Sequence, residues 1–249
     1  MLTPEWLKAI VPIGDRTPTG FMAKGTAVAV RVGELTWLVT AAHVVASGQP
    51  LIGIIESPRG EAIGELSLGK PGTISWVVNH QLGIAAHPFQ HAAETSLRVL
   101  TPEDCLPLAL VVPSAPAYTI GVPTGIEGLD PKPTPFVMGG IVSAVANTSA
   151  SIYSTAVALP GTAGCPLVVE RSGGRCALAG LMFALTGFQQ SSPNTQLFFG
   201  VARSMDPVLH ALAHMRLGPP RGPGGAAPPQ SPGGSSPPPP SGPGKSDLN

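Results

Sequence analysis

The chain has 249 residues, of which 43% are hydrophobic and 11% charged, and its 14 basic and 14 acidic side chains cancel. That is enough apolar material for one large core or two smaller ones. The balanced charge leaves no footprint for nucleic acid or an anionic membrane surface, so neither is expected as a partner.

In chain order, the first 20 residues lack a basic segment followed by an apolar one and a small-residue cleavage site, so they do not read as a secretory leader. No apolar run reaches the length of a membrane span. A cytoplasmic protein is the expectation, with leaderless export as the alternative. Strand-like runs then recur at 26–32, 35–40, 74–78, 106–112, 117–122, 136–145, 166–170, 176–183 and 197–202. Gly, Pro, Asn and Ser clusters punctuate many of the gaps, a pattern of short strands that predicts an all-β barrel or sandwich. Near the end, 204–216 predicts one helix. Ser204 is its N-cap, Asp206 and Pro207 stand in the opening turn, and Met205, Val208, Leu209 and Leu212 form its apolar stripe.

Beyond 217 the composition changes. Residues 218–249 are more than half Pro and Gly, with Ser filling much of the remainder. Such a stretch cannot bury apolar area, and proline blocks both helix and ladder, so a disordered tail is expected. Its Pro237–Pro240 run has the form of a segment that docks on an aromatic groove, which makes a tail-mediated protein contact one option beside a plain spacer.

Cys105, Cys165 and Cys176 are an odd number and do not form a disulfide framework. Cys165 and Cys176 flank a hairpin turning at 172–174, which pairs Cys176 with about Val169. At ~3.3 Å per residue the two sulfurs lie roughly 13 Å apart, so free thiols are expected. His80, His87 and His91 are close in sequence, but Pro88 disfavours a helix between the last two and no Cys or carboxylate completes a set. No metal and no cofactor is expected.

Two local motifs stand out. Trp37-Leu-Val-Thr-Ala-Ala-His43-Val-Val45 is a strand running into a small-residue turn that presents a histidine. Gly161-Thr-Ala-Gly-Cys-Pro-Leu167 is a glycine-rich turn running into a strand. Together they resemble the trypsin-like, chymotrypsin-fold serine proteases, especially the compact bacterial branch akin to the Deg-type enzymes. There, a Thr-Ala-x-His segment carries the general base, and a Gly-x-Ser-Gly-x-Pro segment carries the nucleophile and oxyanion hole. Further segments follow in the same order: Gly20-Phe-Met and Gly25-Thr-Ala as a first strand pair, Tyr118-Thr-Ile-Gly-Val-Pro123, Gly139-Gly-Ile-Val-Ser143, Ala179-Gly-Leu-Met182 and Phe199-Gly-Val-Ala202. The resemblance spans about residues 8–216. It implies two packed six-stranded β-barrels, about 8–105 and 106–203, closed by the helix.

Carried over position by position, the resemblance puts the base at His43. It puts the nucleophile at Ala163, and the orienting aspartate at Gly83 in Leu82-Gly83-Ile84-Ala85-Ala86. The reaction needs a hydroxyl to attack, an imidazole to take its proton and a carboxylate to hold the imidazole. Ala163 and Gly83 supply neither hydroxyl nor carboxylate, and loss of a triad serine alone costs on the order of 10⁶ in turnover. The resemblance therefore implies a catalytically inactive homologue, a pseudoprotease, that binds a peptide or protein segment. Backbone amides at Gly161, Thr162 and Ala163 remain for an oxyanion-type nest. A side-chain pocket is expected from Thr155, Ala156, Val157 and Ala158 with Leu181, Phe183 and Leu185.

The alternatives are an active peptidase with non-standard catalytic groups, a knock-out variant of an active serine endopeptidase, and a hub acting through its tail. The first would draw on Cys165 or Thr162 as nucleophile and on Glu94 or Asp104 to orient His43.

Overall fold

The apolar runs of this chain are mostly unbroken by polar residues, as in Ala27-Val-Ala-Val30, Trp37-Leu-Val39 and Leu167-Val-Val169. A strand written that way needs cover on both faces. In the computed structural model, which describes residues 2–18, 20–56, 62–68, 76–90, 95–124, 134–156, 159–189 and 196–215, each such run has that cover.

The first half holds β1 (Ile10–Thr17), β2 (Gly20–Val32), β3 (Leu35–Ala41), β4 (Leu51–Glu56), β5 (Ala62–Leu68), β6 (Val77–Asn79) and β7 (Ile84–Pro88). They form one antiparallel sheet in the order β5-β4-β1-β2-β3-β7-β6. Six strands make its body and the three-residue β6 its edge. The second half holds β8 (Pro116–Gly121), β9 (Phe136–Ala146), β10 (Ser151–Ser154), β11 (Pro166–Glu170), β12 (Cys176–Gln189) and β13 (Gln196–Ser204). These close into a six-stranded barrel, β10-β13-β12-β11-β8-β9. The all-β architecture with a short C-terminal helix is thus the one expected, but where two six-stranded barrels were expected the second half alone closes, the first being a seven-stranded sheet.

Side-chain alternation sorts the two faces. Ala27, Ala29 and Leu38 point into the first sheet's interior with Val11, Ile13 and Val44. Their neighbours Val28, Val30, Trp37 and Val39 point the other way, against Ile120, Val168, Leu178 and Leu181 of the barrel. The barrel's own interior takes Ala117, Val142, Ile152, Leu167, Val169 and Ala202. The interface between the halves is therefore a third core. The crossing segment is stitched to both sides: Leu100 N–H donates to Ala29 O at 2.9 Å, and Leu106 N–H to Leu178 O at 2.8 Å.

Helix α1 (Met205–His214) follows β13. The Ser204 hydroxyl accepts from Asp206 N, and Met205, Val208 and Leu212 seal the interface core beside Trp6 and Trp37. Asp206 also accepts from Leu108 N at 2.9 Å, fixing the helix start to the crossing segment.

Several expectations are corrected. Residues 106–112 are not a strand. Pro107 opens a single 3-10 turn, Leu108–Leu110, and Leu110 and Val112 are 55% and 62% exposed. Proline fixes φ and donates nothing to a ladder, so this apolar run turns on the surface. The expected strand pair at Gly20 and Gly25 is one strand, β2, paired with β1. Gly25 is a place of close approach, since a Cβ there would lie 2.7 Å from the Val44 methyls. Cys176 pairs with Glu170, one position beyond Val169, and all three cysteines are free thiols. Strands β1, β4, β5, β7 and β10 were absent from the expected set. The 74–78 run is β6, shifted to Val77–Asn79, with residues 69–75 outside the described residues. The tail at 218–249 lies outside them too. Among the described residues no helix is long and apolar enough to cross a membrane.

Leu178 is fully buried between the halves, so Leu178→Ala is expected to cost about 2–5 kcal/mol of unfolding free energy in urea titration. Leu110→Ser, on the exposed turn, is expected to stay within about 0.5 kcal/mol of the unsubstituted chain.

Candidate functional site

Strand β3 ends at Ala41 and enters a single 3-10 turn, Ala42–Val45. Val44 and Val45 bury themselves in the first sheet, and His43 between them and the strand is left exposed. The turn is held by a neighbour across the sheet: Ala42 N–H donates to Gly83 O at 2.8 Å. Gly83 closes the tight turn between β6 and β7. Its own N–H donates to Asn79 O at 3.0 Å, and Leu82 N–H donates to Asn79 Oδ1 at 3.0 Å. Its φ is +72°, the left-handed region in which glycine carries no steric cost. The position matched to the aspartate therefore stands one residue from the histidine position through a single backbone hydrogen bond.

The loop carrying Ala163 is anchored at every step. Pro160 O accepts from Thr124 N at 2.9 Å. The Thr162 hydroxyl donates to Leu159 O at 2.7 Å, and its amide donates to the same oxygen at 3.0 Å. Ala163 O accepts from Thr26 N at 2.8 Å, which joins the loop to the first sheet. Gly164 N–H donates to Met182 O at 2.8 Å, and Met182 N–H to Cys165 O at 2.9 Å, which join it to the barrel. Gly164 has φ +85°, and a Cβ on it would lie 2.7 Å from Ala41 N and would also overlap Thr40 Oγ1 and Thr26 O. Only glycine lets the loop lie this close to β2 and β3.

His43, Gly83 and Ala163 are thus brought to one place by the elements that carry them. Ala163 and Phe183 pack on the cluster that contains Ala41, Val44, Val45 and Ala85. Of the three amides expected for the nest, Thr162's is occupied by Leu159 O, while those of Gly161 and Ala163 have no acceptor among the described residues. The expected pocket is partly dissolved. Val157 and Ala158 lie outside the described residues. Ala156 and Leu181 are buried, one in the barrel interior and the other in the interface, and Thr155 Oγ1 accepts from Ile141 N at 2.9 Å. Phe183 and Leu185 remain accessible, Leu185 at 50%.

The substitute groups weighed from sequence are placed elsewhere. Cys165 is fully buried in the barrel interior, and burial pushes its thiol up to about 12. The Thr162 hydroxyl is also fully buried and bonded to Leu159 O. Asp104 pairs with Arg98 at 2.7 Å and accepts from Thr101 N at 2.9 Å, so its carboxylate is committed within its own turn. Glu94 and His91 lie outside the described residues. His87 lies in β7 with Nδ1 2.8 Å from Pro88 O. Among the described residues no three His, Cys, Asp or Glu side chains are grouped for a metal.

The sequence reading missed the setting of Phe183. Between Met182↔Ala202 and Ala184↔Val201 the β12–β13 ladder skips it, so Phe183 is the extra residue of a β-bulge. Its ring lies against Gly83, with Cδ2 3.9 Å from where a Cβ on Gly83 would be. The Arg203 guanidinium stands 5.0 Å over the ring. Arg203 Nε donates to Leu82 O at 3.1 Å, and Nη1 donates to Ser149 O. The isolated Arg203 in an apolar strand was the available signal. A separate surface cavity of about 360 Å³ is lined by Leu106, Leu110, Val112, Ala115, Glu170 and Arg171, among others, and holds none of the candidate residues.

No family model matches the chain, and no curated protein does. A solved structure from work on the coupled folding and binding of the intrinsically disordered VPg protein of Sesbania mosaic virus is similar over 84% of this chain and 92% of its own, at 15% identity and a TM-score of 0.48.

Gly164→Ala is expected to lower stability by about 2–3 kcal/mol or more in chemical denaturation, through overlap with β3 and the left-handed φ. Gly83→Asn, with open space and a residue tolerant of that φ, is expected to cost less than about 1 kcal/mol. In the native chain a thiol reagent is expected to modify half-buried Cys176 first and to reach Cys105 and Cys165 only on unfolding. Burial raises the Cys105 and Cys165 thiols from 9.0 to about 12. The unfolded chain then releases these protons before the folded one does. Stability is expected to be flat with respect to these groups below about pH 9 and to fall from there to about pH 12, as read from denaturation midpoints.

Proposed function

We propose that this chain is a catalytically inactive homologue of the trypsin-like serine proteases that binds an extended peptide or protein segment without cleaving it. One observation carries the reading. The residues flanking His43 reach the other two matched positions, Ala42 N–H through Gly83 O and Val44 through the cluster on which Ala163 packs, and those two positions hold glycine and alanine. The Gly161–Cys165 loop is docked against both halves, and the matched positions lack the groups that react, which supports a binding role over a catalytic one. The candidates for a replacement nucleophile are buried or already bonded, which disfavours an active enzyme with a different set.

A site for an extended segment follows from strand pairing. Strand β12 lies between β11 and β13 as far as Leu181, which pairs with Pro166 and Arg203. From Phe183 onward it has β13 on one side and no strand on the other among the described residues. An unpaired edge offers main-chain donors and acceptors to an incoming strand. Exposed Leu185 and Phe198 lie near each other on this hairpin, 50% and 52% exposed, and add an apolar surface beside that edge. The amides of Gly161 and Ala163 provide donors for a carbonyl or carboxylate of the segment.

The test uses a denatured, fluorescently labelled protein. The chain as written is expected to bind it in an anisotropy titration and to cleave it no faster than His43→Ala. Leu185→Lys is expected to weaken binding about tenfold while shifting the melting temperature by less than about 2 °C, since it places a charge on an exposed apolar position. Cleavage by the chain as written that is lost in His43→Ala would overturn the reading.

A further inference from the structure

Helix α1 turns its apolar stripe to the interface core, and its other side carries two ligand-type side chains that the site around His43 does not use. Met205, Val208 and Leu212 are buried, while His210 and His214, four residues apart, are exposed. Residues at that spacing are neighbours on a helix surface. Their imidazole rings lie with centroids 4.4 Å apart and planes inclined at 33°. His214 Nδ1 stands 2.7 Å from His210 O. A carbonyl oxygen only accepts, so Nδ1 carries the proton and Nε2 keeps its lone pair. Imidazoles that bind metal are oriented in the same way, one ring N–H given to a backbone carbonyl and the other nitrogen left basic.

We propose that His210 and His214 form a surface chelate for a divalent transition cation of the copper, nickel and zinc class. Two imidazole nitrogens about 2.0–2.1 Å from one cation, at a square or tetrahedral angle, put the ring centroids roughly 4.5–5.2 Å apart, so the pair already stands close to the geometry of a chelate. The pair spans the last turn of α1, where carbonyls without helical partners carry partial negative charge and favour a cation. Asp206, four residues before His210, is bonded to Leu108 N at 2.9 Å. Among the described residues no third His, Cys, Asp or Glu joins the two histidines, and because both are exposed, water fills the remaining coordination positions. Imidazole donors suit this class of cation and not Mg²⁺ or Ca²⁺, which take oxygen. The expectation of no metal, drawn from His80, His87 and His91, did not weigh this pair. A cation held across one turn favours the folded helix, and with it the interface core that the helix seals.

The test uses the full chain without an affinity tag. Cu²⁺ is titrated while the imidazole Cε1–H signals are followed by NMR, since a bound paramagnetic ion broadens the nearest protons first. The His210 and His214 signals are expected to vanish together at substoichiometric Cu²⁺, before those of exposed His43 and His80. Loss of all four over the same concentrations would overturn the chelate. In calorimetric titration Zn²⁺ is expected to bind, and His210→Gln and His214→Gln are each expected to weaken that binding at least about tenfold. Excess Zn²⁺ is expected to raise the melting temperature by about 2 °C or more, a shift that either substitution removes and Mg²⁺ does not reproduce. Zn²⁺ affinity unchanged by the substitutions, or a melting temperature that Zn²⁺ leaves unmoved, would equally overturn it. None of these readouts depends on the peptide-binding reading.

Discussion

The site depends on a loop that is hydrogen-bonded to both halves of the molecule. Ala163 O accepts from Thr26 in the first sheet, and Gly164 N–H donates to Met182 in the barrel. This double attachment needs backbones closer than a side chain permits. Gly164 has no room for a Cβ against Ala41 and Thr40. Gly25 has none against Val44 and Ala163, and Gly121 has none against Thr162. The glycine-rich character of the segment is thus a packing requirement first. It holds whatever residue stands at 163, because the bonds that dock the loop are made by backbone groups.

That attachment has meaning only if the two halves do not shift. The interface core supplies the rigidity, because strand alternation gives β2 and β3 a second apolar face and the barrel and α1 cover it. A buried face of this kind resists sliding, since moving it either opens voids or forces overlaps. His43 then sits at the end of a strand buried on both faces, Gly83 one hydrogen bond away, and Ala163 on the loop that bridges the halves. The packing fixes where these positions stand, and neither Gly83 nor Ala163 carries a side-chain nucleophile or carboxylate. The same packing draws Cys165 into the barrel interior and binds the Thr162 hydroxyl to Leu159 O, which removes the nearest substitutes. Under the proposed reading, binding is the remaining role, and the β12 edge beyond Met182 with the exposed Leu185 and Phe198 is the surface assigned to it.

Much of this was legible in the chain itself. The β content, the C-terminal helix with its Ser204 cap and the free cysteines follow from local composition and spacing, which depend on neighbours in sequence, while the grouping of His43 with the 161–167 turn came from the family resemblance. The misreadings share one cause. The 106–112 run is apolar enough for a strand, but Pro107 turns it and the structure leaves Leu110 and Val112 in water. Gly20 and Gly25 were expected to open two paired strands, yet they lie on the one strand β2, where Gly25 is a point of contact with Val44 and Ala163, 19 and 138 positions away in sequence. Ala156 and Leu181 look like pocket residues by order along the chain, yet facing within the barrel assigns them to cores.

The sequence by itself determined the fold class, the order of the motifs and the presence of glycine and alanine at positions 83 and 163. Each is a property of residue identity or short-range pattern. Tertiary structure alone decided that His43, Gly83 and Ala163 meet, that the Thr162 amide is unavailable, and that Phe183 is turned toward Gly83 beneath Arg203. A bulge is one unpaired residue in a ladder between two strands, and a cation over a ring is a contact across three segments. Neither leaves a periodic mark in sequence, because both arise from how distant strands register against each other.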